Sequence, residues 1–263
     1  MSVYYNDNDP KCCAWLRELI VDGLIPAGVV DCRSITDIDP ASLADYDQCH
    51  FFAGIGGWPL ALRWADWPVD MQVWTGSCPC QPFSCAGKGK GVEDERHLWP
   101  AFRRLIEKCR PATVFGEQVA SKAGREWLTG VRADLEAMDY AVGAADLCAA
   151  SVGALHIRQR IWWVADAGCV RFQRVGAASE KPWTWEQLER LVQAEAQLAI
   201  SAGKDRALAD GIPGRMGLLR GYGNAIVPQV AAEFIAAFML AQFDCTPSSP
   251  VSRPDAESDT AIK

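Results

Sequence analysis

Apolar residues are spaced along this chain in two ways. Continuous runs such as 112-ATVFGE-117 and 161-IWWVAD-166, bounded by Gly, Pro or polar residues, predict buried strands. Apolar positions three and four apart, such as Trp15, Leu16 and Leu19 after Pro10, predict helices with one buried stripe. Residues 3–26 therefore read as a short strand, an acidic turn and a helix beginning near Pro10. The stretch 29-VVD-31 is a further strand end, and 51-FFAGIGGWPLALRWA-65 is a strand end, a glycine turn and an amphipathic helix. Then follow a strand at 71–76, a helix at about 98–109, a strand at 112–117, a helix at about 125–138, and strands near 140–149 and 161–166.

Strands alternating with helices predict an α/β fold, a mostly parallel sheet with helices on both faces. Ligands of such sheets sit outside the carboxyl ends of the strands. The glycine turn, the cysteine-rich stretch 74-WTGSCPCQPFSCAGKGKG-91 and Glu117 are all expected at that end, around one crevice.

Beyond Asp166 the pattern changes. Residues 167–213 are richer in charge and Gln, with one predicted helix at 183–200, and read as a small second lobe. Residues 214–244 return to the main domain, whose first part is 1–166, and end in an apolar helix. The Pro-, Ser- and Asp-rich tail, 245–263, is expected to be disordered.

A chain of 263 residues can bury one sizeable core. It has neither a bilayer-spanning apolar run nor a signal-peptide pattern, so a cytoplasmic location without membrane contact is expected. A net charge of -7 argues against coating nucleic acid by bulk attraction but leaves room for a local basic groove. The eleven cysteines show no framework spacing and read mostly as small hydrophobes in a reducing compartment.

Cys78-Pro79-Cys80 is where chemistry first suggests itself. A zinc site would need four spaced ligands, and Cys78, Cys80 and Cys85 lack the usual Cys-x-x-Cys or His partners. A Cys-x-x-Cys redox pair is absent. A nucleophilic thiol needs a lowered pKa, which a strand-end turn with nearby cations supplies; Lys88 and Lys90 are candidates. Glu117 is either a solvated strand-end carboxylate or, if desolvated, an acid. Arg158 and Arg160 are either surface charges or a clamp for an anion or a base edge. The glycines at 54–57 are weak evidence alone, and Gly-Lys-Gly-Lys-Gly lacks phosphate-loop spacing and reads as a flap.

Taken in order, Phe-Ala-Gly-Ile-Gly-Gly (52–57), Pro-Cys-Gln-Pro-Phe-Ser (79–84), Glu-Gln-Val (117–119), His-Ile-Arg-Gln-Arg (156–160) and Gly-Asn-Ala-Ile-Val-Pro (223–228) resemble the cytosine-5 DNA methyltransferases of bacteria and phages. The resemblance implies a Rossmann-like S-adenosylmethionine-dependent methyltransferase fold with a small target-recognition lobe. Cys80 would attack C6 of cytosine, Glu117 would protonate or hydrogen-bond N3, and Arg158 and Arg160 would hold the base and Cys80 in register. Phe52, Gly54, Ile55, Gly56 and Gly57 would line the S-adenosylmethionine pocket with Asn224. Gln81, Ser84, Lys88 and Lys90, with Arg171 and Arg174 of the lobe, would contact nucleic acid. The implied partner is double-stranded DNA with its target base flipped out, read by a metal-free monomer, bacterial or phage-encoded, of the restriction-modification kind. An RNA cytosine-5 methyltransferase and a non-catalytic DNA-binding homologue are the alternatives.

The chain departs from the family pattern in several places. Gln118 stands where Asn is usual, Leu155 and His156 replace Pro and Gln, and His50 replaces an acidic residue. Moreover, Gly57 and Pro79 are too close for the strands that carry the family's acidic cofactor contacts. The expectation is a circular rearrangement, with that unit at the front: Asp7 on the ribose hydroxyls and Asp31 at the adenine amino group. It requires Asp7 and Asp31 to lie beside the glycine turn.

Overall fold

The structure, a computed structural model, describes residues 2–68, 71–79, 98–154, 158–168 and 225–244. Local chemistry sets the helix starts. Helix α1 (Pro10–Val21) opens on Pro10, and the Asp9 side chain accepts the Lys11 N–H at 2.8 Å. Helix α2 (Gly57–Trp64) follows Gly56, whose φ of 84° is open to glycine at little cost. Helix α3 is Trp99–Cys109, and α4 is Lys122–Glu136. The latter starts earlier than apolar spacing alone indicates, because Ser121 Oγ accepts the Gly124 N–H at 3.0 Å and caps it there. Helix α5 is Pro228–Asp244.

The seven strands are β1 (Val3–Asn6), β2 (Val29–Asp31), β3 (Gln48–Phe51), β4 (Val73–Gly76), β5 (Thr113–Val119), β6 (Ala141–Cys148) and β7 (Gln159–Asp166). They form one sheet in the order β2-β1-β3-β4-β5-β7-β6. Strands β1 to β5 are mutually parallel, and β7 runs antiparallel between β5 and β6. The mixed α/β sheet agrees with the sequence expectation. Because β7 is antiparallel, its first residues lie at the same sheet end as the last residues of β3, β4 and β5.

Registry decides which residues share a face. Tyr5 pairs with His50 and His50 with Thr75, so these three look the same way, as does Phe115 opposite Thr75. Leu16 and Leu19 of α1 pack with Tyr5, while Trp58 and Leu62 of α2 pack with Phe115 and with Val230 and Ile235 of α5. These three helices therefore cover one face. Trp74, Cys49 and Phe51 face the other way, against Phe102 and Leu105 of α3 and Trp127 and Val131 of α4.

This arrangement has an unusual handedness. The β1–α1–β2 step moves toward the sheet edge and the β3–α2–β4 step moves toward its centre, yet both pass over the same face. Two such crossovers between parallel strands are of opposite hand, whereas about 98% of them are right-handed. One of the two connections is thus the rare kind.

Candidate functional site

The carboxyl ends of β1, β3, β4 and β5 bring the candidate residues to one end of the sheet. After Phe51 the chain turns sharply, with Phe52 at φ 52°, Gly54 at 55° and Gly56 at 84°. A bulky residue such as Phe52 in the left-handed region is strained, and such strain collects where surrounding structure over-determines a functional turn. The Gly54 N–H points at Asp7, whose Oδ2 accepts it at 2.8 Å, while Asp7 Oδ1 accepts the Asp9 N–H at 2.9 Å. Burial raises the Asp7 pKa against the pull of those two N–H groups. Space stays open beside Gly54, since a methyl group added there would meet only the Phe52 carbonyl at 3.9 Å. Gly57 is different: a Cβ would lie 2.6 Å from Ile226, so glycine there lets the segment before α5 close onto α2. Ile55 lies within the same turn.

Asp31 ends β2, separated by β1 from the strand that leads into this turn, and its carbonyl accepts the Asp7 N–H at 3.2 Å. Its carboxylate is already engaged, accepting from Tyr4 Oη at 2.7 Å and from Arg33 Nη2 at 2.7 Å and Nε at 3.0 Å. Arg33 holds the Asp31 carboxyl down at about 2.

Glu117, near the end of β5, is 8% exposed. Desolvation lifts its pKa to about 7, although Arg160 and Arg158 both pull it down. Arg160 Nε lies 2.7 Å from Glu117 Oε1, an ion pair across the antiparallel β5–β7 pair. Arg158 reaches elsewhere, its Nη2 donating to the Ala225 carbonyl at 2.7 Å and tying β7 to the segment leading into α5. The structure thus groups Glu117 with both arginines and gives the two arginines different partners.

Cys78 is buried in the core beside Trp74 and Phe102, and burial pushes its thiol pKa up. A buried, protonated thiol is a packing residue. Cys80, Gln81, Ser84, Lys88 and Lys90, with Arg171, Arg174 and Asn224, lie outside the described residues, as do Leu155, His156 and the 183–200 helix. The start of the cysteine stretch is nevertheless anchored: Trp58 Nε1 of α2 donates to Ser77 Oγ at 3.0 Å. Sequence reasoning missed Trp58, whose only signal was its place directly after the glycine turn.

Two departures from the family pattern acquire physical accounts. His50 is fully buried, stacked on Tyr5 at 5.2 Å, with Nδ1 2.8 Å from Thr75 Oγ1. Burial pushes its pKa down to about 3, so it is a neutral core residue. Gln118 folds back on its own strand, Oε1 accepting the Val119 N–H at 2.9 Å, which accommodates its extra methylene. Among the described residues there is no cluster of acidic, His and Cys side chains that could hold a metal ion, and no helix long and apolar enough to cross a membrane.

Residues 63–168 match the C-5 cytosine-specific DNA methylase family. The chain is 30% identical over 122 residues to the type II methyltransferase M.AplI of Arthrospira platensis, covering 46% of this chain and 32% of that protein. It is 32% identical over 99 residues to the type II methyltransferase M.HhaI of Haemophilus parahaemolyticus, covering 36% and 30% respectively. The chain therefore spans about a third of the length of each of these relatives. Among solved structures it is similar to a mutant of Spodoptera frugiperda DNMT2, with 14% identity, a TM-score of 0.43, and 66% of this chain and 45% of that one covered. Residues 63–168 of this chain are thus similar to the C-5 cytosine-specific DNA methylases, and the chain to parts of these type II methyltransferases.

Proposed function

We propose that this chain is a DNA (cytosine-5-)-methyltransferase, moving a methyl group from S-adenosylmethionine to C5 of a flipped-out cytosine in double-stranded DNA. The observation that carries this reading is Glu117, a buried carboxyl titrating near 7 at the open end of the sheet. Such a group holds a proton at neutral pH and can give it to, or share it with, N3 of the base. Loss of electron density at N3 makes C6 electrophilic, and Cys80 is the thiol assigned to attack there. Arg160, paired with Glu117, keeps that carboxyl in place and is assigned to the base, while Arg158 fixes the approach of β7 to the segment before α5. Collapse of the adduct then requires loss of the C5 proton and departure of the Cys80 sulfur.

The residues present fit the cofactor. A carboxylate offers about four acceptor sites, and Asp7 uses two on the Gly54 and Asp9 N–H groups, leaving two for ribose hydroxyls. Gly54 borders open space beside Asp7, and Phe52, Ile55, Gly56 and Gly57 of the same turn are assigned to the pocket with Asn224. Asp31, now paired with Arg33, is assigned to the adenine amino group. The bound cofactor supplies a methyl group on a positively charged sulfur.

The rearranged chain order belongs to the same reading. If β1–α1–β2 originally followed β3–α2, both crossovers would run toward the same sheet edge over the same face, and their opposite hands would have a single cause. Gln81, Ser84, Lys88, Lys90, Arg171 and Arg174 are assigned to DNA, residues 167–213 to target recognition, and the chain to a cytoplasmic monomer.

The test is methyl transfer from labelled S-adenosylmethionine to a mixed-sequence duplex, with Cys80→Ser and Cys78→Ser alongside. Transfer lost in Cys80→Ser and kept in Cys78→Ser is expected. No transfer by the parent chain to duplex DNA, despite cofactor binding, would overturn the assignment.

A further inference from the structure

The end of β2 carries a guanidinium that the proposed chemistry does not use. The Asp31 carboxylate accepts from Tyr4 Oη at 2.7 Å, from the Arg33 N–H at 2.9 Å, from Arg33 Nε at 3.0 and 3.1 Å, and from Arg33 Nη2 at 2.7 Å. A carboxylate offers about four acceptor sites, so this one is full. The turn after the strand is fixed as well. Asn6, 2% exposed, donates from Nδ2 to the Arg33 carbonyl at 2.8 Å and to the Asp31 carbonyl at 3.2 Å. Arg33 is therefore held at its main chain and along its fork, yet its side chain stays 57% exposed. Asp31 engages the Nε–H and one N–H on Nη2, and the outer N–H groups remain open to a ligand. A groove of about 390 Å³ lies beside them, lined also by Tyr4, Ser42 and Tyr46.

We propose that Arg33 is a specificity-determining residue for the cofactor, donating to a ring nitrogen of adenine from a guanidinium that Asp31 holds in place. Adenine presents an amino donor flanked by two acceptors, N1 and N7. The amino group reaches Asp31 only by sharing an oxygen that already has a partner. The spare hydrogen-bonding capacity on the Asp31–Arg33 pair is that of a donor, and a donor fits a ring nitrogen, so this contact carries the discrimination. Preorganisation makes it effective. Tyr4 holds Asp31 and Asp31 holds Arg33, so little side-chain freedom is lost when the base arrives. The positive charge of the donor strengthens the bond. Lysine is no substitute, because a single ammonium cannot make the fork on Asp31 and still face the base.

This contact rests on the cofactor assignment made above. Its test is calorimetric binding of S-adenosylhomocysteine, and of its 1-deaza and 7-deaza adenine analogues, to the full chain, Arg33→Ala and Arg33→Lys. In the parent chain one of the two analogues is expected to bind about tenfold more weakly than the natural base, the scale of one hydrogen bond to a charged group. In Arg33→Ala the natural base should itself bind about tenfold more weakly, and that analogue no worse than it. Arg33→Lys should follow Arg33→Ala; full affinity there would reduce the contact to charge and overturn the hydrogen bond. A merely structural role for Arg33 would weaken all three ligands alike and leave the analogue penalty in place, which also overturns the proposal. So does tighter binding by Arg33→Ala, since Arg33 would then be a competitor for Asp31. If the parent chain binds no S-adenosylhomocysteine, the proposed function fails and the contact with it, whereas binding that is indifferent to Arg33 removes the contact alone.

Discussion

Replacing Glu117 by Gln keeps the shape of the side chain and removes its titration, so the variant isolates the energetic consequence of burying this acid. In the folded chain Glu117 titrates at about 7 instead of its ordinary 4.5. At about 1.4 kcal/mol per tenfold change in proton affinity, that difference is worth on the order of 3 kcal/mol. Between the two values the folded chain keeps a proton that the unfolded chain has released, so Glu117 makes stability fall as pH rises through this window. His50 acts in the opposite sense: its folded value of about 3 lies below the ordinary 6.5, so the unfolded chain gains a proton that the folded chain refuses, and stability falls as pH drops below 6.5. In the parent chain the two slopes oppose each other from about pH 4.5 to 6.5. In Glu117→Gln only the His50 slope remains. Arg160 loses its partner in the variant, which adds a constant offset to the comparison. Urea unfolding of both proteins at several values between about pH 5 and 8 reads this directly. The stability of the variant relative to the parent should rise by roughly 3 kcal/mol across the range. Parallel stability–pH curves would show that Glu117 is not a desolvated acid and remove the observation on which the proposed chemistry rests. Methyl transfer should be lost in the same variant, because an amide has no acidic proton to offer N3.

Asp7→Asn turns an amide NH2 toward either the Gly54 or the Asp9 N–H, leaving a buried donor unsatisfied. A stability loss of about 1–3 kcal/mol by urea unfolding and weaker cofactor binding by calorimetry are expected. Gly116→Ala places a Cβ 2.2 Å from the Trp163 ring, so β5 or β7 must move. A loss of about 3 kcal/mol, seen as a lowered thermal midpoint, is expected, with reduced methyl transfer because Glu117 is the next residue. Trp58→Phe keeps the packing on Phe115 and Trp162 but removes the hydrogen bond to Ser77. Stability should fall by about 1 kcal/mol, and kcat should fall more than cofactor affinity, since the bond anchors the start of the cysteine stretch.

Much of this architecture is written in local pattern. The strands at 112–117 and 161–166 and the helix after Pro10 follow from apolar spacing and capping chemistry, which act over a few residues and are fixed before any long-range contact forms. The ordered blocks at 52–57, 79–84, 117–119, 156–160 and 223–228 likewise carried the family resemblance on which the proposed chemistry rests. Tertiary structure decided the rest. Neighbouring strands in a sheet are chosen by pairing and burial across long stretches of chain, so local spacing alone does not give the strand order; the family resemblance led to the expectation of Asp7 beside the glycine turn, and the structure supplied the contact, a Gly54 N–H accepted by Asp7. Solvation is equally non-local. Glu117 and Asp31 are both strand-end carboxylates, yet one is lifted to about 7 by burial and the other held at about 2 by Arg33. That divergence comes from the depth and the partners that packing imposes on each acid, properties the unfolded chain does not possess.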